Sequence, residues 1–268
     1  MSSIIKTYST VTPLYITPTL YVLGDKCYFE KENGKSTIVN TKNWHHYWSE
    51  YGWAKIDDVW IKRLNSFCEV KPRNNLFGLL DCGSNGDCLF HCIAQALNQD
   101  YEIPKWSAVD IRTSVSKQID KYNYDSIIET YRLQEQFNEF EGLWEPTKVK
   151  SVREFRNILE TMGNTFWGDH IIIQLLENAF NINIVLLKKY SEELYDKNEI
   201  KQGSQIYPLG TDLDTSRKTL FLCYEDEVHF TLVGYFNGHI VKSLFNWIEI
   251  PPEILAIYNK DCSADYSR

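Results

Sequence analysis

Residues 79–97 read LLDCGSNGDCLFHCIAQAL, and the fold turns on how the chain passes through Cys88. C-terminal to it, Leu89, Phe90, Ile93, Ala94 and Leu97 recur at helical spacing and would share one buried face. N-terminal to it, Ser84-Asn85-Gly86-Asp87 is turn chemistry. Cys88 therefore stands at the mouth of a predicted helix, where unpaired N–H groups and the positive end of the dipole favour the thiolate, the nucleophilic form. The turn through Asn85, Gly86 and Asp87 can aim successive N–H groups at one spot, as an oxyanion hole requires, and Gly86 lets a substrate backbone come close. Two other chemistries fit less well. A calcium loop beginning at Asp81 would need a bidentate Glu where Cys92 stands. Zinc would need a C-x-x-C pair or its equivalent, and none occurs. No metal and no cofactor is expected.

Working outward, Ser107 with Asp110 opens a helix carrying Ala108, Ile111, Val115 and Ile119. Ser151 and Glu154 form a capping box before Val152, Phe155, Ile158, Leu159 and Met162, and Gly163 ends that helix. A further helix starts near Asp169, carries Ile171, Ile172, Leu175, Leu176 and Phe180, and runs into the buried strand INIVLL. Then come TLFLCY, HFTLVGYF and HIVKSLF, the last two joined by Asn237-Gly238, a two-residue hairpin signal. Upstream, TLYVL and CYFEKENGKSTIV are strands with a second such signal at Asn33-Gly34. NWHHYWSEYGWAKIDDVWIKRL places Trp44, Trp48, Trp53 and Trp60 in a short, mainly helical segment that fills a small core. Helices followed by strands predict an α+β protein with helices packed on a sheet.

The 268 residues are 43% hydrophobic, with 8 Trp, 17 Tyr and 13 Phe, enough for a full-sized core. Twenty-eight Lys and Arg against 36 Asp and Glu give a net charge of −8, and no five like charges run together. A phosphate backbone therefore has no electrostatic footprint here, and nucleic acid is not expected as a partner. No run of 18 apolar residues exists, so no membrane span is expected. MSSIIKTYST lacks a basic start followed by an unbroken apolar stretch, and seven scattered cysteines are an odd number unsuited to a disulfide scaffold. Both facts point to a reducing compartment, cytosol or nucleus.

The segment DCGSNGDCLFHCIAQALN resembles the nucleophile motif of the ovarian tumour (OTU) family of cysteine deubiquitinases, usually Asp-Gly-x-Cys followed by two large apolar residues. Phe166-Trp167-Gly168-Asp169-His170, with the helix and strand after it, resembles the family's Trp-Gly block. His229-Phe230-Thr231-Leu232-Val233 resembles the strand that brings in the catalytic histidine. The resemblance implies a papain-like core with a central, mostly antiparallel sheet between helices, over residues 76–258. Residues 1–75 would be an aromatic-rich β/α extension and 259–268 a tail. It further implies a deubiquitinase that cleaves after the C-terminal Gly of ubiquitin without a metal, with Cys88 as nucleophile and His229 as base. Trp167, Gly168 and Phe230 would wall a channel for a Gly-Gly tail, although Trp167 suits the core equally well. Ubiquitin or polyubiquitin would be the partner, the chain monomeric and cytoplasmic, in a host's cytoplasm if viral. The stretch HFTLVGYFNGHIVKSLFNW also looks like versions from large DNA viruses. Two positions depart from the family pattern, Asn85 for the usual Asp and Thr231 two residues after the histidine. A two-residue turn at Asn237-Gly238 would set His229 opposite Asn246, with Cβ atoms about 5 Å apart, and make a Cys-His-Asn set. Asn85, Asp81 and Thr231 are the other candidates for the third member. A protease for a ubiquitin-like modifier, or an inactive ubiquitin-binding module, are the competing functions.

Overall fold

A computed structural model describes residues 12–66, 76–101, 103–140, 142–189, 204–208, 213–225 and 229–265; Cys68 and the N-terminal MSSIIKTYST lie outside them. Strands β1 (Leu14–Tyr15), β2 (Leu20–Leu23), β3 (Lys26–Glu30) and β4 (Ser36–Val39) form an antiparallel four-stranded sheet. The expected hairpin at Asn33-Gly34 is present with a longer turn. Glu30 faces Ser36, the Lys31 N–H donates to the Lys35 carbonyl at 2.9 Å, and Gly34 closes the three-residue loop at φ 74°. A loop of that length ends on a left-handed residue, which glycine adopts without strain. The tryptophan segment then divides into α1 (Trp44–Trp48), β5 (Trp53–Lys55) and α2 (Asp58–Ser66), because Gly52 at φ 84° ends the first helical run.

The main sheet follows. After β6 (Phe77–Leu80) the chain makes α3 (Cys88–Asn98), α4 (Ala108–Ser116), α5 (Tyr124–Gln136), α6 (Val152–Glu160) and α7 (His170–Phe180). It returns as β7 (Ile182–Lys189), β8 (Ser204–Pro208), β9 (Lys218–Glu225), β10 (His229–Phe236), β11 (Val241–Lys242) and β12 (Leu244–Phe245), and closes with α8 (Pro252–Asp265). The strand order is β5-β6-β10-β9-β7-β8, antiparallel except for β7 beside β9. This is the α+β, papain-like core that the sequence implies. Ser107 caps α4 with a full Ser107–Asp110 box, and Asp169 caps α7 by accepting from the N–H groups of Ile171 and Ile172 at 3.0 Å each. No helix among the described residues is long and apolar enough to cross a membrane.

Period-two alternation divides the core between the two faces of the sheet. Ile184, Leu186, Leu220, Leu222, Phe230 and Leu232 point to the face covered by α3 to α7. Val185, Leu187, Phe221, Cys223 and Val233 point to the face covered by α2 and α8. β5, from the N-terminal 75 residues, is an edge strand of the main sheet, with Trp53 opposite Leu80. α8 runs unbroken through residue 258 to Asp265, and residues 259–265 are helix rather than tail.

Candidate active site

The nucleophile loop is built from its own strain outward. β6 ends at Leu80, and Asp81 turns the chain by accepting the Gly83 N–H at 3.0 Å. Asn85 at φ 62° and Gly86 at φ 85° then reverse it into α3. A Cβ on Gly86 would come within 2.5 Å of the Gly163 carbonyl oxygen, so the residue type is set by a close approach of backbone as well as by φ.

Asp87 stands at the N-cap but does not cap; its carboxylate turns inward. Oδ1 takes the Arg112 Nε–H at 2.7 Å and Oδ2 takes the Gly163 N–H at 2.8 Å. Arg112 itself is fully buried. Nη1 donates to the carbonyl of Leu159 (2.9 Å) and Nη2 to those of Gly86 (3.1 Å) and Phe166 (2.9 Å), and the guanidinium lies 4.0 Å from the centre of the Phe90 ring. Burial pulls the Arg112 pKa down and the Asp87 charge pushes it back up; a guanidinium stays protonated under such opposing pulls. The consequence for the loop is geometric. In a planar trans peptide the C=O and the next N–H point opposite ways, so holding the Gly86 carbonyl inward aims the Asp87 N–H outward, toward the mouth of α3. Sequence reading missed Arg112 because a lone arginine on a helix reads as a solvated residue, and nothing local marks it as buried.

Cys88 is 7% exposed. The register of β10 explains what its sulfur touches. Phe236 and Leu76 are a hydrogen-bonded pair, and so, two by two, are the positions down to Leu232 and Leu80. Continuing that ladder, the N–H and C=O of Phe230 would face residue 82, but β6 has ended. Sulfur takes their place: the Phe230 N–H faces Cys88, and the Cys92 thiol donates to the Phe230 carbonyl at 3.5 Å. Burial is the largest influence on the Cys88 thiol and holds its pKa above the ordinary range. The N–H groups of Phe230, Leu89 and Cys88 itself pull it down, and the Asp81 charge raises it. The helix mouth therefore helps the thiolate but does not outweigh burial, a correction to the sequence expectation. The rate of alkylation of Cys88 by iodoacetamide, followed by mass spectrometry, is thus expected to climb with pH and to reach half its maximum above the value for free cysteine; a midpoint below neutrality would contradict this.

His229 begins β10, one residue from the N–H that faces the sulfur. Its Nε2 lies 3.3 Å from Asp81 Oδ1. The same ladder accounts for the meeting, since it sets residue 81 opposite Thr231 on one face and His229 diagonal to it. The Thr231 hydroxyl is buried and has no hydrogen-bond partner among the described residues. Asn246 is not in the site. The turn is centred one residue later than expected, with Asn237 N–H donating to the Ile240 carbonyl, Gly238 at φ 100°, and Asn237 Oδ1 accepting from the N–H groups of His239 and Ile240. That Asx geometry shifts the register so that Phe236 faces Val241. The strand then leaves β10 altogether, Phe245 pairs with Thr219, and Asn246 donates to Glu249. His229 pairs with Glu225 at the other end of β9. The run of β9 from Thr219 to Glu225, roughly 20 Å, separates the two.

Of the expected channel residues, Phe230 is buried and stacks on Tyr224 at 4.5 Å, while Trp167 is 39% exposed. A Cβ on Gly168 would meet Leu89 Cδ2 at 2.2 Å, so this glycine packs against the residue that follows the nucleophile. Among the described residues, no group of three or more His, Cys, Asp or Glu is placed to hold a metal.

A cysteine at a helix N-terminus, and a histidine at the start of a strand with its Nε2 beside a carboxylate, are the residue types that a thiol protease site uses. Residues 83–230 match the model of the family described as OTU-like cysteine protease, and the chain belongs to that family. Among curated proteins, none matches. Similar solved structures include an OTU deubiquitinase of Wolbachia pipientis wMel bound to ubiquitin, 14% identical over 60% of this chain and 96% of that chain, with a TM-score of 0.40. The viral OTU domain protease of Farallon virus is 14% identical over 85% and 98%, with a TM-score of 0.37. The Hazara virus OTU bound to ubiquitin is 11% identical over 85% and 96%, with a TM-score of 0.35.

Proposed function

We propose that the protein is a deubiquitinase that hydrolyses isopeptide or peptide bonds after the C-terminal glycine of ubiquitin through Cys88, His229 and Asp81. The observation that carries this reading is the contact of Asp81 with His229 Nε2, which leaves Nδ1 as the nitrogen that would serve the Cys88 thiol. The Cys88 thiol passes its proton to His229 as it attacks the glycine carbonyl. The N–H groups of Asp87 and Cys88 receive the oxyanion. The tetrahedral intermediate collapses to a thioester as His229 protonates the departing amine. Water, deprotonated by the same imidazole, then releases the acid and restores the thiol. Asp81 fixes the tautomer and stabilises the imidazolium. Support for ubiquitin as the modifier comes from the family.

The test is exposure to ubiquitin bearing a C-terminal electrophile. One adduct, on Cys88, is the expected result; capture only by a ubiquitin-like modifier would move the substrate class, and tight binding with Cys88 unmodified would make the chain a binding module. In the same assay Asp81→Asn is expected to slow turnover by roughly 10²-fold, as loss of an acid–base partner does. Full activity in that variant would remove Asp81 from the site.

A further inference from the structure

Two thiols stand behind the nucleophile that no step above uses. All six cysteines of the described residues are free, Cys82 and Cys92 among them. Cys82 comes two residues after the last of β6, and its thiol donates back to the Leu80 carbonyl at 3.5 Å. Cys92, one turn along α3 from Cys88 and fully buried, donates to the Phe230 carbonyl at 3.5 Å. The first carbonyl belongs to the Leu232–Leu80 rung of the β6–β10 ladder, and the second to the next rung, where β6 has already ended. Thiols held on adjacent rungs are neighbours, and the Cys82 sulfur is within hydrogen-bonding reach of Cys92. Their surroundings differ. Cys82 is half-buried and lines a cavity of about 390 Å³ together with His91, Gln95 and Trp106, whereas Cys92 has no exposed surface. Burial, and after it the Cys82 sulfur, push the Cys92 thiol well up. A reagent in solution therefore meets Cys82 first.

We propose that Cys82 and Cys92 are a modification site, a dithiol that hydrogen peroxide closes into a disulfide, and that this bond slows turnover by disturbing the strand end that carries His229. The Cys82 sulfur attacks one peroxide oxygen as the O–O bond breaks, giving a sulfenic acid and water. The Cys92 sulfur then attacks the Cys82 sulfur, the S–O bond breaks, and the departing hydroxide takes the Cys92 proton to leave as a second water. Two thiols are oxidised by two electrons in total, and one peroxide is reduced. Closing the bond removes the hydrogen that the Phe230 carbonyl accepts, and buried carbonyls are rarely left without a donor. It also ties the residue after Asp81 to α3. Phe230 adjoins His229 and its N–H faces Cys88, so the disturbance reaches the site while Cys88 keeps its thiol. The loss of turnover rests on the deubiquitinase reading; the disulfide does not.

The experiment has two arms. Trypsin releases residues 74–105 as one peptide, and in Cys88→Ser that peptide holds Cys82 and Cys92 as its only cysteines. After hydrogen peroxide it is expected to be lighter by two hydrogens and to resist iodoacetamide until dithiothreitol is added. A gain of oxygen instead, or full alkylation of both cysteines, would overturn the site. In the second arm, ubiquitin aminocoumarin is given to wild type and to Cys82→Ser, which keeps a donor for the Leu80 carbonyl and should start at wild-type activity. Wild type is expected to lose turnover at a several-fold lower peroxide concentration than Cys82→Ser and to regain it with dithiothreitol. Equal sensitivity would trace the whole loss to Cys88 and sink the effect on turnover, even with the disulfide formed. Failure of Cys88 to capture the ubiquitin electrophile would instead strike the deubiquitinase reading, and the peptide mass would still decide the disulfide.

Discussion

Replacing Cys88 by alanine is expected to abolish turnover, a loss of roughly 10⁴-fold or more, while leaving ubiquitin binding measurable by calorimetry. The substitution should also cost stability for a reason unrelated to catalysis. The sulfur stands where β6 would have continued, and the Phe230 N–H faces it. Alanine leaves that buried donor without an acceptor, a penalty of about 1–3 kcal/mol. Cys88→Ser supplies an oxygen in nearly the same place, so it should be as inactive as alanine and melt higher. The shift is about 2–4 °C per kcal/mol for a chain of this size. Equal melting temperatures would show that the N–H at Phe230 does not depend on the nucleophile. His229→Ala completes the argument. Because burial raises the thiol pKa, a site without its base reaches the thiolate only in alkaline solution, and residual activity should increase with pH where the wild-type rate has levelled. A flat residual profile would mean that the sulfur is ionised without help.

The sequence exposed features that are local and hid those that depend on register or burial. Cys88 at a helix mouth, the caps at Ser107, Ser151 and Asp169, and the strand beginning at His229 are written in consecutive residues, and the structure has each of them. Pairing logic was also sound in kind. Cross-strand geometry does give His229 its partner, but from β6 through Asp81 rather than from the hairpin through Asn246. The error came from one side chain. Asn237 bonds the N–H groups of His239 and Ile240 and moves the turn by a residue, which no count of dipeptides anticipates. α5, which carries Tyr131, escaped notice because its apolar stripe is thin and broken by charge, and α8 because Pro251 and Pro252 look like the end of a domain rather than the start of a helix. The packed rings of Tyr131, Phe140, Trp144, Phe155 and Phe166 lie too far apart in sequence to suggest one cluster. Arg112 was invisible for the opposite reason. Its environment is entirely tertiary.

That buried arginine carries the second large effect. Arg112→Met is expected to destabilise the protein by roughly 3–5 kcal/mol, because Asp87 would remain as an uncompensated charge at 6% exposure. It should also lower kcat by roughly 10²–10³, the cost of losing an oriented oxyanion donor, because the Gly86 carbonyl would no longer be held inward. The two losses have different origins and can be separated. Adding Asp87→Asn removes the stranded charge while keeping an acceptor for the Gly163 N–H, so the double variant should regain part of the stability of Arg112→Met. It should not regain kcat, since an amide in place of the Asp87 carboxylate restores nothing to the Gly86 carbonyl. Arg112→Lys retains charge but lacks the planar fork that reaches Asp87 and three carbonyls at once, and is expected to fall between wild type and methionine in both measurements. Thermal melts alongside single-turnover thioester formation decide the matter. If kcat returned together with stability in the double variant, Arg112 would hold the fold and nothing more, and the orientation of the Asp87 N–H would have to be credited to the left-handed turn at Asn85 and Gly86 alone.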